Sequence, residues 1–459
     1  MRLLLTALFS ATICATSFAQ TPQSIEQRYA DIADRIIAAA TRDSFAYNRL
    51  AELTDTYGPR LSGSESLEHA LDWMLAQMKR DGLDNVRAEP VMVPHWVRGA
   101  ESVELLSPRA ARIAMVGLGG SIATPPEGIT AEVLVVSSFD ELTRRAAEAK
   151  GRIVLFDEPF VGYGRTVQYR MRGAIEAARV GAVASLIRSV SSYSMRNPHT
   201  GAMAYDSTVP RIPHASISVE DAMMLHRMQD RGTRIVVRIK MSAQLLPDAP
   251  SKNVVAELRG RDKPDEVVVM GGHTDSWDVG QGAMDDAGGV VAAWEAVRLL
   301  KRLHLQPRRT IRVVGWVNEE NGTRGGRAYA ETHRDELARH VLAIESDEGV
   351  FKPMGFGFTG TDSAFAILQH VGHLLDKIGA GAITRGGGGA DIGASMQTGV
   401  PGMGLNTAGE KYFWFHHSDA DTMDKLDPQE LNLCVAAMAI MAYVVADLPE
   451  PLPRGPATQ

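Results

Sequence analysis

From Asn253 onward, short runs of branched apolar residues alternate with longer stretches of helical periodicity, an order that leaves few folds open. The apolar spacing predicts strands over 266–270, 310–317, 341–345 and 400–405. Between and after them it predicts helices over 288–303, 326–338, 362–378 and 428–448. Strands separated by helices pair mostly in parallel and need both faces covered. The expected fold is therefore α/β, a mainly parallel mixed sheet flanked by helices.

Ligands of such sheets sit beyond the carboxyl ends of the strands. After the first strand come His273, Asp275 and Asp285-Asp286; after the second, Glu319-Glu320; after the third, Asp347, just past Glu345. A late loop carries His416-His417-Ser418-Asp419-Ala420-Asp421. Paired acids on a loop are common, but here acids and imidazoles from four loops converge on one rim. Crowded carboxylates repel, and burial raises their pKa unless a cation compensates. Imidazole together with carboxylate oxygen suits zinc, and two zinc ions lying close together need a shared carboxylate. Magnesium and calcium fit imidazole less well, while manganese and cobalt remain open.

The rest of the chain sets the context. Arg2, an apolar stretch over 3–13 and Ser17-Phe18-Ala19 before Gln20 form a cleavable signal peptide, residues 1–19, so a secreted or periplasmic protein is expected. Residues 20–44 then form a leader, propeptide or packed arm, with helical spacing over 24–41. Cys14 lies in the signal, which leaves Cys434 alone in the mature chain and excludes an internal disulfide. The apolar stretch 433–446 falls short of the ~20 residues of a membrane span, so it is expected as a buried final helix and no membrane span is expected. A net charge of −7 without a basic stripe excludes a nucleic-acid partner. Between 96 and 249 the texture changes to short strands around a helix over 168–180, an inserted domain within a catalytic domain of 45–95 and 250–450, before a tail of 451–459. His95, His199 and His214 stand isolated there and are taken as ordinary core or surface residues. The Gly386–Gly389 run is taken as a flexible loop.

The motifs Gly272-His273-Thr274-Asp275-Ser276-Trp277, Met284-Asp285-Asp286, Asn318-Glu319-Glu320 and His417-Ser418-Asp419-Ala420-Asp421-Thr422 resemble those of the two-zinc exopeptidases of the bacterial leucyl aminopeptidase and glutamate carboxypeptidase type. The run Asp275 to Asp286 places the chain nearest the plasma glutamate carboxypeptidase branch, and the likeness extends from Tyr57 to about Leu448. The resemblance implies the zinc exopeptidase fold, with 96–249 as a protease-associated domain. It also implies two zinc ions per chain, one held by His273 and Asp347, the other by Glu320 and His417, with Asp285 between them. By the same resemblance Asp275 orients His273 through its second ring nitrogen and Glu319 is the general base. The family spacing of His, three residues, then Asp-Thr selects His417 over its neighbour His416. Whether Asp391, after the glycine run, also approaches the site, and whether the Asp285-Asp286 bond is cis, as in many relatives, stay open. Small unblocked peptides, dipeptides above all, are the implied substrates, and a homodimer the implied assembly. Three alternatives are an aminopeptidase acting on longer peptides, a one-zinc acyltransferase of the glutaminyl-cyclase kind and a non-catalytic receptor-like relative.

Overall fold

The computed structural model describes residues 23–457. The signal peptide expected at 1–19 lies outside them. Two eight-stranded sheets organise the chain. The first contains β1 (Asp84–Val97), β2 (Gln244–Leu258), β3 (Lys263–His273), β4 (Arg309–Trp316), β5 (His340–Glu345), β6 (Pro353–Thr359), β7 (Ala382–Arg385) and β8 (Gly402–Thr407). Their order is β1-β2-β4-β3-β5-β8-β6-β7. The centre, β4-β3-β5-β8, is parallel, whereas β1, β2 and β6 join by antiparallel pairing.

Side chains alternate between two cores, as the period of a strand requires. Val268, Met270, Ile311, Val313, Leu342 and Ile344 face one core, built with the helices Gly288–Arg302 and Pro428–Asp447. Val267, Val269, Val314, Trp316 and Ala343 face the other, against Tyr329 and Ile392. The last helix begins where Asp427 accepts hydrogen bonds from the backbone of Gln429 and Glu430, with Pro428 in its first turn. It runs beyond the apolar stretch 433–446 that announces it, and with 20 residues it is long and apolar enough to cross a bilayer. Packing assigns it otherwise, because 83% of its most apolar window is buried inside the protein. Cys434 lies in that core. The helix Ile25–Ala40 packs there too, burying Tyr29, Ala33, Ile36 and Ala40, with the Tyr29 hydroxyl donating to Asp447. Residues 25–40 are thus an arm built into the fold.

The second sheet is formed by short strands between Glu101 and Met241 and has apolar clusters of its own. It hangs on the ladder between β1 and β2, which stays paired up to Val97 opposite Gln244. The helices Phe45–Tyr57 and Val219–Asp230 and the strands β6 and β7 have no counterpart in the elements anticipated above.

Candidate metal centre

Gly271-Gly272-His273 ends β3, and the absence of side chains before His273 has a local cause. A Cβ on Gly272 would fall 2.1 Å from Oδ2 of Asp286, and one on Gly289 2.3 Å from its Oδ1. The Asp286 carboxylate fills that space and accepts hydrogen bonds from the backbone of His273 (3.0 Å) and Gly289 (3.1 Å). Burial pushes its pKa well above the ordinary range. The preceding residues hang from a second carboxylate: Asp421 accepts from the backbone of Ala283 and Met284 at 2.9 Å and of Asp285 at 3.2 Å. Burial raises Asp421 to about 7. The peptide bond joining Asp285 to Asp286 is cis.

Asp285 is thereby held between two groups of donors. Its Oδ1 lies 3.1 Å from His273 Nε2, which is also 3.3 Å from Asp347 Oδ1. Its Oδ2 lies 3.3 Å from His417 Nε2 and 3.5 Å from His416 Nε2. Glu320 Oε2 completes this side, 2.9 Å from His417 Nε2. Within each of the sets His273, Asp285, Asp347 and Asp285, His416, His417, the donor atoms all lie within 4.8 Å of one another. The five residues expected as ligands are therefore gathered at one place, and His416 stands among them, its ring stacked 3.5 Å from that of His417.

Asp275 takes a place different from that anticipated. His273 Nδ1 donates to the backbone carbonyl of Asp275 at 2.9 Å, while the Asp275 carboxylate stands 3.8 Å away. The main chain, not the side chain, thus holds the ring. The Asp275 carboxylate instead accepts from the backbone N–H of Glu319 (3.1 Å) and the hydroxyl of Ser62 (3.3 Å). Asp391 belongs to neither donor group. Its backbone N–H and that of Ile392 donate to Glu345, and neither of its buried carboxylate oxygens has a hydrogen-bond partner among the described residues. The glycine run before it is fixed at Gly389, where a Cβ would fall 2.0 Å from Glu345 Cδ, so it is not a free loop at that end.

Arg60 was not anticipated at all, and it is 1% exposed. Its guanidinium donates to the carbonyls of Thr274 (3.0 Å), Gln281 (2.7 Å) and Gly282 (2.9 Å), tying the loop between His273 and Asp285 to the Tyr57–Ser64 turn. Its only advertisement is a lone charge in a glycine- and serine-rich turn. Arg170 and Tyr163, from the second-sheet region, also reach the centre: Arg170 Nη1 lies 3.3 Å from His417 Nδ1 and Nη2 donates to the Tyr163 hydroxyl at 2.7 Å. They line, with Glu319, Asp347, Tyr412 and His416, a cleft of about 420 Å³.

The electrostatics of the centre fit a cation. Burial works against the charged rings, yet Asp347 and Asp285 raise His273 well above its usual range, and Glu320 and Asp285 raise His417 to about 10. Against the same burial the two histidines hold Asp285 well below the carboxylate range. Burial raises Glu320 to about 7 and Glu319 well above its usual value. Imidazole and carboxylate donors without thiolate, one carboxylate shared, and a buried Asp285 Oδ2 with no hydrogen bond among the described residues make a set that divalent zinc suits.

Comparison with known proteins agrees with this geometry. Residues 253–442 match the profile of peptidase family M28. Carboxypeptidase Q of Mus musculus is 49% identical over 451 residues, 98% of this chain and 96% of the relative. That of Homo sapiens is 51% identical over 427 residues, covering 92% and 90%. The crystal structure of a peptidase M28 precursor from Shewanella amazonensis superposes with a TM-score of 0.91 at 36% identity, over 94% of this chain and all of that one. With about half its residues shared with carboxypeptidase Q over nearly the whole of both chains, this chain belongs to peptidase family M28 and is a metallopeptidase.

Proposed function

We propose that the chain is a secreted exopeptidase with two zinc ions, cleaving small unblocked peptides and dipeptides in particular. The observation that carries this reading is the division of Asp285, one oxygen toward His273 and Asp347, the other toward His417 and Glu320. His273 and Asp347 would hold one ion, His417 and Glu320 the other, and Asp285 both. Bound zinc supplies Lewis acidity, which makes a water acidic near neutral pH and polarises a carbonyl.

The chain's own groups do the rest. Glu319 lines the same cleft and is assigned no ion, which leaves its lone pairs free for a proton. Its backbone is anchored by Asp275, which fixes where the carboxylate can reach. Glu319 takes the proton of the attacking water and passes it to the leaving amine. The cleft, about 420 Å³, lies toward the small end of ligand clefts, which range over roughly 300–1,000 Å³, in keeping with short substrates. Residues 96–249 act as a protease-associated domain that brings Tyr163 and Arg170 to the cleft, and the enzyme works as a homodimer after removal of 1–19.

The test is elemental analysis of the purified protein together with dipeptide turnover before and after chelation. Two zinc ions per chain, turnover lost on chelation and regained on adding zinc are expected. Turnover surviving complete metal removal overturns the reading, and a single zinc favours the acyltransferase alternative. Dipeptides blocked at one end or the other then decide which terminus is recognised.

A further inference from the structure

His417 departs from the other proposed ligands in how it is held. His273 ends β3, while Glu320 and Asp347 follow β4 and β5 within a few residues, so the sheet itself aims them. His417 follows the four-residue helix Tyr412–Phe415 and sits at φ 60°, the left-handed region that side chains with a Cβ disfavour. Something must over-determine that conformation. The groups that do so come from the second-sheet region. The imidazole of His199 donates through Nδ1 to the carbonyl of His416 at 2.6 Å. The backbone N–H of Thr200 donates to the carbonyl of His417 at 2.8 Å. Asn197 Nδ2 donates to the Ser418 hydroxyl at 2.9 Å, and the Ser191 hydroxyl to the carbonyl of Phe413 at 2.5 Å. The carbonyls of both histidines are thus taken by one segment, 199–200.

We infer that His199 is a positioning residue for the cation position at His417, and that the two cation positions are therefore unequal. His273 and Asp347 stand at the ends of β3 and β5, with Asp285 held by Asp421; the His417–Glu320 position is complete only when the segment around His199 is docked. His199 is 1% exposed, and its Nε2 has no partner among the described residues. Its backbone N–H donates to the Ser189 hydroxyl, and among the described residues the ring's one hydrogen bond is the one to the His416 carbonyl. The inference rests on the two-ion reading above.

The experiment is calorimetric titration of zinc into the chelator-treated, full-length protein, for the wild type, His199→Phe and His199→Asn. Phenylalanine keeps a ring of similar size and removes the donor; asparagine returns an N–H near the Nδ1 position. Circular dichroism and the urea midpoint of each metal-free protein report folding separately. Expected are two ions bound by the wild type, one unchanged and one at least tenfold weaker affinity in His199→Phe, and recovery of most of that loss in His199→Asn. Two unchanged affinities in His199→Phe overturn the inference alone. So do two equally weakened ones that asparagine does not rescue. Fewer than two ions on the wild type overturn the two-ion reading and the inference with it. If His199→Phe does not fold, Asn197→Ala, which cuts the tie to Ser418, takes its place: weakening of one affinity is expected, and two unchanged affinities overturn the inference.

Discussion

Asp421 supports the metal centre without belonging to either donor group, so its replacement separates scaffold from ligands. In Asp421→Ala the buried backbone N–H groups of Ala283, Met284 and Asp285 lose their acceptor at once. A hydrogen bond to a charged group contributes about 1.5–3 kcal/mol net, so three independent bonds would total about 4.5–9 kcal/mol. Two features reduce that sum: Ala283 and Met284 share one oxygen, and burial has already raised the carboxyl to about 7. A loss of about 3–5 kcal/mol is expected, the usual cost of removing one partner from a buried polar set. Asp421→Asn keeps an oxygen for Ala283 and Met284 but turns an amide toward the N–H of Asp285, and should lose only about 1–3 kcal/mol. Urea unfolding of the metal-free protein, followed by tryptophan fluorescence, measures both, and zinc titration shows whether Asp285 has moved. If Asp421→Ala unfolds within about 1 kcal/mol of the wild type and binds zinc equally well, these three hydrogen bonds do not fix the loop and the reasoning fails.

Three further outcomes are expected. Glu319→Gln should lower dipeptide turnover by about 10²–10⁴-fold with zinc content and unfolding midpoint unchanged, and loss of metal would make Glu319 a ligand instead of a base. In Gly289→Ala the new Cβ would meet the Ser346 carbonyl oxygen at 2.0 Å and Asp286 Oδ1 at 2.3 Å, so thermal unfolding should show a destabilisation of about 1–3 kcal/mol, and an unchanged midpoint would refute the wedge assigned to Asp286. His417 is raised to about 10 and Glu320 to about 7, so protons must leave as a cation enters. Zinc affinity should therefore rise with pH through neutrality, by about tenfold per unit for each proton displaced. Calorimetry in two buffers of different ionisation enthalpy counts those protons, and a pH-independent affinity would refute the proton-filled metal-free centre.

What the sequence shows of this site depends on whether a residue acts through its side chain at a strand end. His273, Glu320 and Asp347 do, and their places after successive strands make them readable one by one, while Asp285 is read from its pairing with Asp286 farther along the loop after β3. Arg60 and His199 act on backbone carbonyls, which carry no trace in the identity of the partner residue. An isolated histidine 217 positions before His416 looks like any other core histidine. Asp275 shows the same limit from the other side, because its carbonyl holds the ring that its carboxylate was expected to hold. In the fold, β6 and β7 were illegible for a related reason. Gly355 and Gly357 occupy alternate positions of β6, and a Cβ on Gly355 would fall 2.0 Å from the Ala382 carbonyl oxygen. Close approach to β7 demands glycine just where a branched apolar residue would have signalled a strand.

Arg60 also explains how so acidic a centre can be built before any cation arrives. Around Asp285 stand Asp275, Asp286, Asp347, Glu319, Glu320 and Asp421, and burial makes each negative charge costly. On the ligation proposed above, the two histidines with raised pKa supply positive charge only in the absence of a metal, since ligation requires them neutral. Arg60 adds a positive charge of another kind: burial lowers it only to about 10, and Asp421 and Asp275 act against that fall. Its hydrogen bonds go to carbonyls, so no single carboxylate neutralises it and its field reaches several. A buried guanidinium beside the titratable histidines ties down the loop between His273 and Asp285 whatever their charge.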